Sequence, residues 1–279
     1  MKKNRKNFLY GKTVVITGAS GGLGFSIAKY LINEYNCEII GIARNEQKIL
    51  NAIDTLGENK THFSYKIFDV SVYQNWLNFV DYLNNQNIKI DVLINNAGFM
   101  LPFEKFELNT DGEIESIIKT NFSAVVYSTK ALIPLLKQSK NPAIVNVSSA
   151  AGLCPVVGQS MYCATKHAVR GFTETLQQEY KKTIYIGGVY PGFIKTDIMS
   201  NIELNNKDKK LVEKLMMPLQ KATKKIVKRI SKKKKKTVIG LDGGYMNFCG
   251  RYFPKSTTAI ITKVLSSAKL EMFKDLTDK

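Results

Sequence analysis

The chain has 279 residues, 44% of them hydrophobic, with 41 Lys and Arg against 23 Asp and Glu and a net charge of +18. That apolar content excludes a disordered chain, and the length suits one large α/β domain or two small ones. No run approaches the roughly 20 apolar residues that span a bilayer, and the basic start leads into no signal-peptide core.

Through residue 190, short β-branched runs alternate with helical patterns. Lys12–Thr17 is expected as a strand and Leu23–Tyr35 as a helix, then Glu38–Ile42 as a strand and Glu46–Leu56 as a helix. His62–Phe68, a helix near Tyr73–Asn84 and the strand Ile90–Ile94 follow, then a long helical region over about Glu113–Lys137. Ala143–Val147, the helix Met161–Tyr180 and the strand Ile184–Val189 complete the alternation. This order predicts parallel strands joined by right-handed crossovers, with helices on both faces. Beyond Pro191 the pattern loosens into the polar, Lys-rich Phe193–Pro218. A helix at Leu219–Ile230, a seventh strand at Thr237–Leu241 and an amphipathic segment at Thr258–Phe273 are expected after it. No linker divides the chain.

Thr17-Gly18-Ala19-Ser20-Gly21-Gly22-Leu23-Gly24 stands directly after the first strand and opens a helix. Gly18 permits the tight turn, Gly22 a close approach of backbone to a pyrophosphate, and Gly24 the packing of helix on strand. The helix N-terminus offers N–H groups and a positive dipole end to phosphates. The second strand ends in Ala43-Arg44-Asn45, without the acidic residue that would hold the ribose 2′-hydroxyl of NAD. A guanidinium there suits a 2′-phosphate, favouring NADP(H) over NAD(H). The alternative is a solvated Arg at a helix start.

Tyr162 and Lys166, four apart, share one helix face. A phenol of pKa near 10 is a poor base at neutral pH, and a nearby ammonium lowers that value. Asn146-Val147-Ser148-Ser149 follows the fifth strand, Asn95-Asn96-Ala97-Gly98 the fourth, and Asn121 lies in the long helix. Cys163 and His167 point off the Tyr162–Lys166 face and are expected to be structural.

With these residues in this order, the chain resembles the short-chain dehydrogenase/reductase family, from about Lys12 to Thr196 and more weakly to Leu241. Asp69-Val70 and Pro191-Gly192-Phe193-Ile194-Lys195-Thr196 carry the resemblance with the motifs above. It implies one Rossmann-type, doubly wound α/β domain of about seven strands over residues 1–241, with residues 242–279 packed on it as an extension. It implies Tyr162 as general acid or base and Lys166 lowering the Tyr162 pKa and holding the nicotinamide ribose. Ser149 would hydrogen-bond the substrate oxygen, and Asn121 would hold a water in a proton relay. Of the two serines, Ser149 is chosen because in similar sequences the active serine precedes Tyr by thirteen positions. Cofactor contacts are implied for Gly18, Ser20, Gly21, Gly22, Leu23, Gly24, Arg44 and Asn45. Asp69 and Val70 would touch adenine, and Asn95, Ala97 and Gly98 would line the groove. Pro191, Gly192, Ile194 and Thr196 would flank the carboxamide. A homodimer or homotetramer is also implied.

The segment near 193–218 is implied as a lid, and Ile198, Met199, Ile202, Leu204, Leu211, Leu215, Met216 and Met217 would give it an apolar underside. Leu153, Cys154, Val156, Val157 and Phe99–Leu101 would line the other walls, or simply belong to the core. An apolar pocket suits a steroid, a fatty-acyl chain or another hydrophobic ketone, with a 3-oxoacyl or small carbonyl substrate as the alternative. The motifs do not select among them.

The charge is uneven: residues 201–279 hold 20 basic and 7 acidic groups, a net of +13. Lys232–Lys236 is either a solvated turn or a contact for an anionic membrane surface or acidic substrate. The aromatic, basic stretch Tyr245–Lys255 suits an interfacial patch or a pocket cap equally. A regulatory NAD(P)-binding protein without catalysis is the rival reading, opposed by the complete set Asn121, Ser149, Tyr162 and Lys166. Sequence-specific nucleic-acid binding is not expected, because no helix-turn-helix or zinc motif is present. Cys37, Cys154, Cys163 and Cys249 show no paired spacing, and no Cys-x-x-Cys arrangement lies near either His. No disulfide or metal site is therefore expected, and the setting is expected to be reducing and cytoplasmic.

Overall fold

The structure is a computed structural model, and it describes residues 6–196, 216–267 and Leu276. Seven strands form one sheet: β1 (Thr13–Thr17), β2 (Glu38–Ala43), β3 (Phe63–Ile67), β4 (Val92–Asn95), β5 (Ala143–Val147), β6 (Tyr185–Pro191) and β7 (Lys236–Ile239). Their order is β3-β2-β1-β4-β5-β6-β7, and every pairing is parallel. The connecting helices are α1 (Gly22–Tyr35), α2 (Glu46–Asp54), α3 (Tyr73–Asn85), α4 (Asp111–Ile118), α5 (Ala124–Leu136), α6 (Ser160–Glu179) and α7 (Leu219–Ile230). After β7 come α8 (Leu241–Tyr252) and α9 (Thr257–Ser267). This is the Rossmann-type, doubly wound α/β fold.

The apolar runs explain the two-layer cover. Within β1, Val14 and Ile16 face one side with Ile27 and Leu31 of α1 and Ile226 of α7. Val15 faces the other, with Trp76 of α3, Leu132 of α5 and Leu176 of α6. Alternate residues of a strand point to opposite faces, and a sheet covered on both needs apolar residues at every position. Each fully buried Val, Leu or Ile side chain contributes about 1.5–3 kcal/mol. The strand order reverses between β1 and β4, so the loops after these strands diverge and leave a crevice at the carboxyl edge of the sheet.

Three elements differ from the sequence expectation. The long helix is interrupted by a π-helical turn, Lys119–Ser123, which carries Asn121. The seventh strand stops at Ile239; Gly240 turns the chain at φ 98°, and Leu241 opens α8 instead of ending a strand. The glycines of residues 242–252, expected only as part of a packed extension, allow that helix to pack closely. A Cβ on Gly250 would stand 2.2 Å from the Leu153 carbonyl oxygen, and one on Gly243 3.2 Å from the Gly192 nitrogen.

Ile198, Met199, Ile202, Leu204, Leu211 and Leu215 of the expected lid lie outside the described residues. Its two ends are stitched together: Lys195 N–H donates to the Met217 carbonyl at 3.0 Å, and Met217 N–H to that of Phe193 at 2.9 Å.

Candidate active site

A cavity of about 540 Å³ occupies the crevice. Its nucleotide end is shaped by backbone. Gly18 and Gly22 have φ of 66° and 51°, the left-handed region that strains a side chain. Gly21 at the N-cap of α1 supplies no side-chain cap, and the first turn holds no acidic residue, so the amides and positive dipole end suit an anion. Thr17 Oγ1 accepts from the N–H groups of Asn96 and Ala97 at 2.9 and 3.0 Å, and Asn96 Nδ2 donates to the Thr17 carbonyl at 3.0 Å. The loops after β1 and β4 are thereby fixed side by side as the walls of a groove. A glycine-lined groove with an uncapped helix start is what a dinucleotide pyrophosphate requires, so the residues present fit a nicotinamide cofactor.

Arg44 is exposed and lines this end with Asn45 and Lys48. Asn45 Oδ1 accepts from Lys48 N–H at 2.8 Å and so caps α2. Lys48 was not expected at the site. It reaches back across the loop, so that a Cβ on Gly21 would stand 3.3 Å from Lys48 Cε.

At the other end the candidate groups are buried. Tyr162 and Lys166 are 5% and 3% exposed, and Lys166 Nζ lies 5.6 Å from the Tyr162 ring centroid. Burial pushes the Tyr162 phenol up to about 12, while its hydrogen bond with Ser149 works in the opposite sense. Burial pushes the Lys166 ammonium down to about 8. The buried phenol therefore stays protonated at neutral pH, where the helical spacing had suggested a lowered pKa. Desolvation of the whole face is the reason.

The two serines divide. Ser149 faces Tyr162 and caps a short 3₁₀ turn by accepting from Ala151 N–H at 3.1 Å. Ser148 donates to the Lys166 carbonyl at 2.8 Å and so ties the end of β5 to α6. Asn121 is fully buried: its Oδ1 accepts from Phe99 N–H at 3.0 Å and its Nδ2 donates to the Phe99 carbonyl at 2.9 Å. A Cβ on Gly98 would stand 3.0 Å from Asn121 Oδ1 and 3.1 Å from Lys166 Nζ, so these three residues are in close contact.

The cavity brings together Gly18, Ser20, Gly21, Gly22, Leu23, Arg44, Asn45, Val70, Ala97, Gly98, Ser149, Tyr162, Lys166, Pro191, Gly192, Ile194 and Thr196. It does not bring Gly24, Asp69, Asn95 or Asn121 to its lining. Gly24 lies where a Cβ would be 2.3 Å from the Gly18 carbonyl oxygen; it serves packing. Asp69 Oδ1 accepts from Ser71 N–H at 2.8 Å, and Phe68 lines the wall beside Val70. Asn95 is buried in a network in which it accepts from Ser128 Oγ at 2.7 Å and donates to Asn146 Oδ1 at 2.9 Å. These polar groups lock the strand ends from beneath.

Of the expected substrate walls, Phe99, Met100 and Val156 line the cavity, while Leu101, Leu153 and Cys154 are core residues. Cys163 is buried, its thiol pushed up to about 11, and His167 Nδ1 meets the Cys163 carbonyl at 2.9 Å; both are structural.

Gln159 and Asp242 were missed. Gln159 donates through Nε2 to the Leu101 and Pro102 carbonyls at 2.8 and 3.0 Å, which fixes the orientation of its amide. Its Oε1 is the buried side-chain polar atom without a partner among the described residues, and the residue lines the cavity one turn before Tyr162. Asp242 accepts from Phe193 N–H at 2.6 Å and so holds the loop after β6 against α8. Spacing from Tyr162 offered a signal for Gln159; Asp242 carried none.

Residues 12–207 match the family described as short chain dehydrogenase. The chain belongs to this family. It is thus an oxidoreductase of the short-chain dehydrogenase type, acting between CH–OH and carbonyl groups with a nicotinamide cofactor. A 3-oxoacyl-(acyl-carrier-protein) reductase of Chlamydia trachomatis is 34% identical over 207 residues, 72% of this chain and 81% of that protein. An NADP-dependent 3-hydroxy acid dehydrogenase of Schizosaccharomyces pombe is 36% identical over 193 residues, 68% of this chain and 74% of that one. The fold matches a short-chain dehydrogenase/reductase of Burkholderia phymatum with a TM-score of 0.77 at 19% identity, covering 97% and 98% of the two chains.

Proposed function

We propose that this short-chain dehydrogenase interconverts a ketone and a secondary alcohol on an apolar substrate, with NADP(H) as cofactor and Tyr162 carrying the proton. The observation that carries this reading is that Ser149, Tyr162 and Lys166 line one cavity with the glycine loop. The cofactor, when bound, supplies or accepts the hydride at the carbinol carbon. In reduction, Tyr162 gives its phenol proton to the ketone oxygen while Ser149 hydrogen-bonds that oxygen and stabilises its developing charge. Burial keeps Tyr162 protonated at neutral pH, which suits a donor. In oxidation, Tyr162 must lose that proton, and the Lys166 ammonium beneath its ring favours the charged form. Contact among Asn121, Gly98 and Lys166 supports a water relay reaching Lys166 from the Asn121 turn.

The preference for a 2′-phosphate rests on the exposed Arg44 after Ala43, with Lys48 beside it. Phe99, Met100, Phe103, Val156 and Met246 give the substrate end its apolar character. The activities named for the relatives favour a 3-oxoacyl or 3-hydroxyacyl chain over a hydroxysteroid. The Gln159 acceptor suits a substrate bearing a hydroxyl or amide donor near the ketone. We read the protein as a cytoplasmic homodimer or homotetramer that touches anionic membrane at its periphery.

Hydroxysteroids, 3-oxoacyl thioesters, sugars and simple aldehydes, each with NADPH and NADH, form the test. NADPH oxidation with an apolar ketone is expected. Cofactor binding with no turnover across the panel would favour the non-catalytic regulatory reading instead.

A further inference from the structure

Helix α8 has three faces with different chemistry. Asp242 and Met246 line the cavity of the active site. Leu241, Tyr245, Phe248 and Tyr252 recur at spacings of four, three and four, a stripe about 60° wide and about 16 Å long. All four are exposed: Leu241 is 95%, Phe248 50% and Tyr252 60% accessible, and Phe253 extends the patch at 48%. Soluble surfaces carry single apolar residues freely, but a contiguous aromatic stripe marks a contact surface.

The third face is basic. Asn247, Gly250 and Arg251 of α8, with Arg170 of α6 and Lys236 of β7, surround a cavity of about 410 Å³. Arg251 lies over the Tyr252 ring at 5.5 Å, so the cations adjoin the stripe. Burial and the neighbouring Arg170 and Arg251 lower the pKa of Lys236, while Glu174 raises it. Glu174 is bonded to Arg170 at 2.9 Å and is the carboxylate in this group. Three cations against one acid leave the cavity an excess of positive charge.

We propose that α8 docks the protein on an anionic phospholipid surface, its aromatic stripe entering the interface and the adjoining basic cavity receiving lipid phosphates. Tyr, Trp and Phe side chains partition to the bilayer interface, and cations beside them gain from anionic lipid. The complementarity is with the net charge of +18 as well as with the local cluster. A second copy of this chain fits less well. A two-fold contact on the stripe would bring the Arg251 clusters of both copies together, and like charges oppose that. Among the described residues no helix is long and apolar enough to cross a membrane.

The use of such a contact rests on the proposed function. The helix that meets lipid on one side lines the active-site cavity on another, which suits an apolar ketone drawn from the membrane. The contact itself does not depend on that reading.

The test compares the full-length protein with Phe248→Ser/Tyr252→Ser and Arg251→Glu in sedimentation with phosphatidylcholine vesicles, with and without phosphatidylserine. Wild type is expected to bind the phosphatidylserine vesicles at low salt. Each variant is expected to lose about tenfold in partitioning, with an unchanged circular dichroism spectrum and unchanged NADPH turnover of a water-soluble ketone. Absence of wild-type binding would overturn the docking surface. So would equal binding by all three proteins, which would assign the attraction to the lysine run, or a stripe variant that turns a dimer into a monomer in solution. Failure of turnover in wild type, with vesicle binding intact, would count against the proposed function alone.

Discussion

The glycine loop and the Tyr162 centre share one cavity and are made of different materials. At the loop, Gly18, Gly21 and Gly22 leave backbone N–H groups and a helix dipole to meet an anion, and the charged side chain Arg44 is exposed. At Tyr162, an ammonium and a phenol are almost wholly withdrawn from water. The first arrangement binds by shape and costs little stability. The second gains chemical leverage from desolvation and carries a penalty, since burying an ammonium disfavours its charged form.

Replacing the buried charge probes this contrast most severely. Lys166→Met is expected to lower turnover by about 10³-fold, yet to melt at the same or a higher temperature. The ammonium falls from an ordinary 10.5 to about 8, so its charged form is penalised in the fold. That penalty is present in full below about pH 8 and fades as pH rises towards 10.5, where Lys166 is neutral in both states. It is worth up to about 3 kcal/mol at neutral pH. Thermal melts at pH 7 and pH 10 check it: the advantage of the variant should shrink at the higher pH.

Ser149→Ala removes one donor to the substrate oxygen and is expected to lower kcat by about 10²-fold, with cofactor affinity unchanged by fluorescence titration. Ser148→Ala, which breaks a tie to the Lys166 carbonyl, should act on melting temperature more than on kcat. At the other end of the cavity, Arg44→Asp is expected to weaken NADPH by about tenfold while leaving NADH near its original affinity. Equal losses for both cofactors would remove Arg44 from the phosphate site and return it to a solvated helix start.

The same contrast explains what could be read from the sequence. Backbone-made features left clear marks: the glycines of Thr17–Gly24, the β-branched runs and the Tyr162–Lys166 spacing are all local. Side-chain networks left ambiguous ones. Asn95 and Asp69 stand at strand ends, as cofactor contacts would, but Asn95 turns to Ser128 and Asn146, and Asp69 to the Ser71 amide. Nothing local distinguishes an amide that locks the sheet from one that faces a ligand. Helix α8 was hidden for a different reason. Gly243, Gly244 and Gly250 are poor helix formers in isolation, and two of them are explained by the close approach of Gly192 and Leu153. Tertiary packing therefore overrides propensity there. The Tyr245–Lys255 stretch suited either an interfacial patch or a pocket cap; α8 turns Met246 to the cavity and leaves Phe248 exposed.

The central claim is that the proton moved in the reaction is the one on Tyr162. It is tested most directly by Tyr162→Phe, with NADPH binding and NADPH-dependent ketone reduction measured on the same preparation. Binding should stay within about twofold of wild type, and reduction should fall by about 10³-fold or more. Full turnover by Tyr162→Phe, with binding intact, would contradict the account.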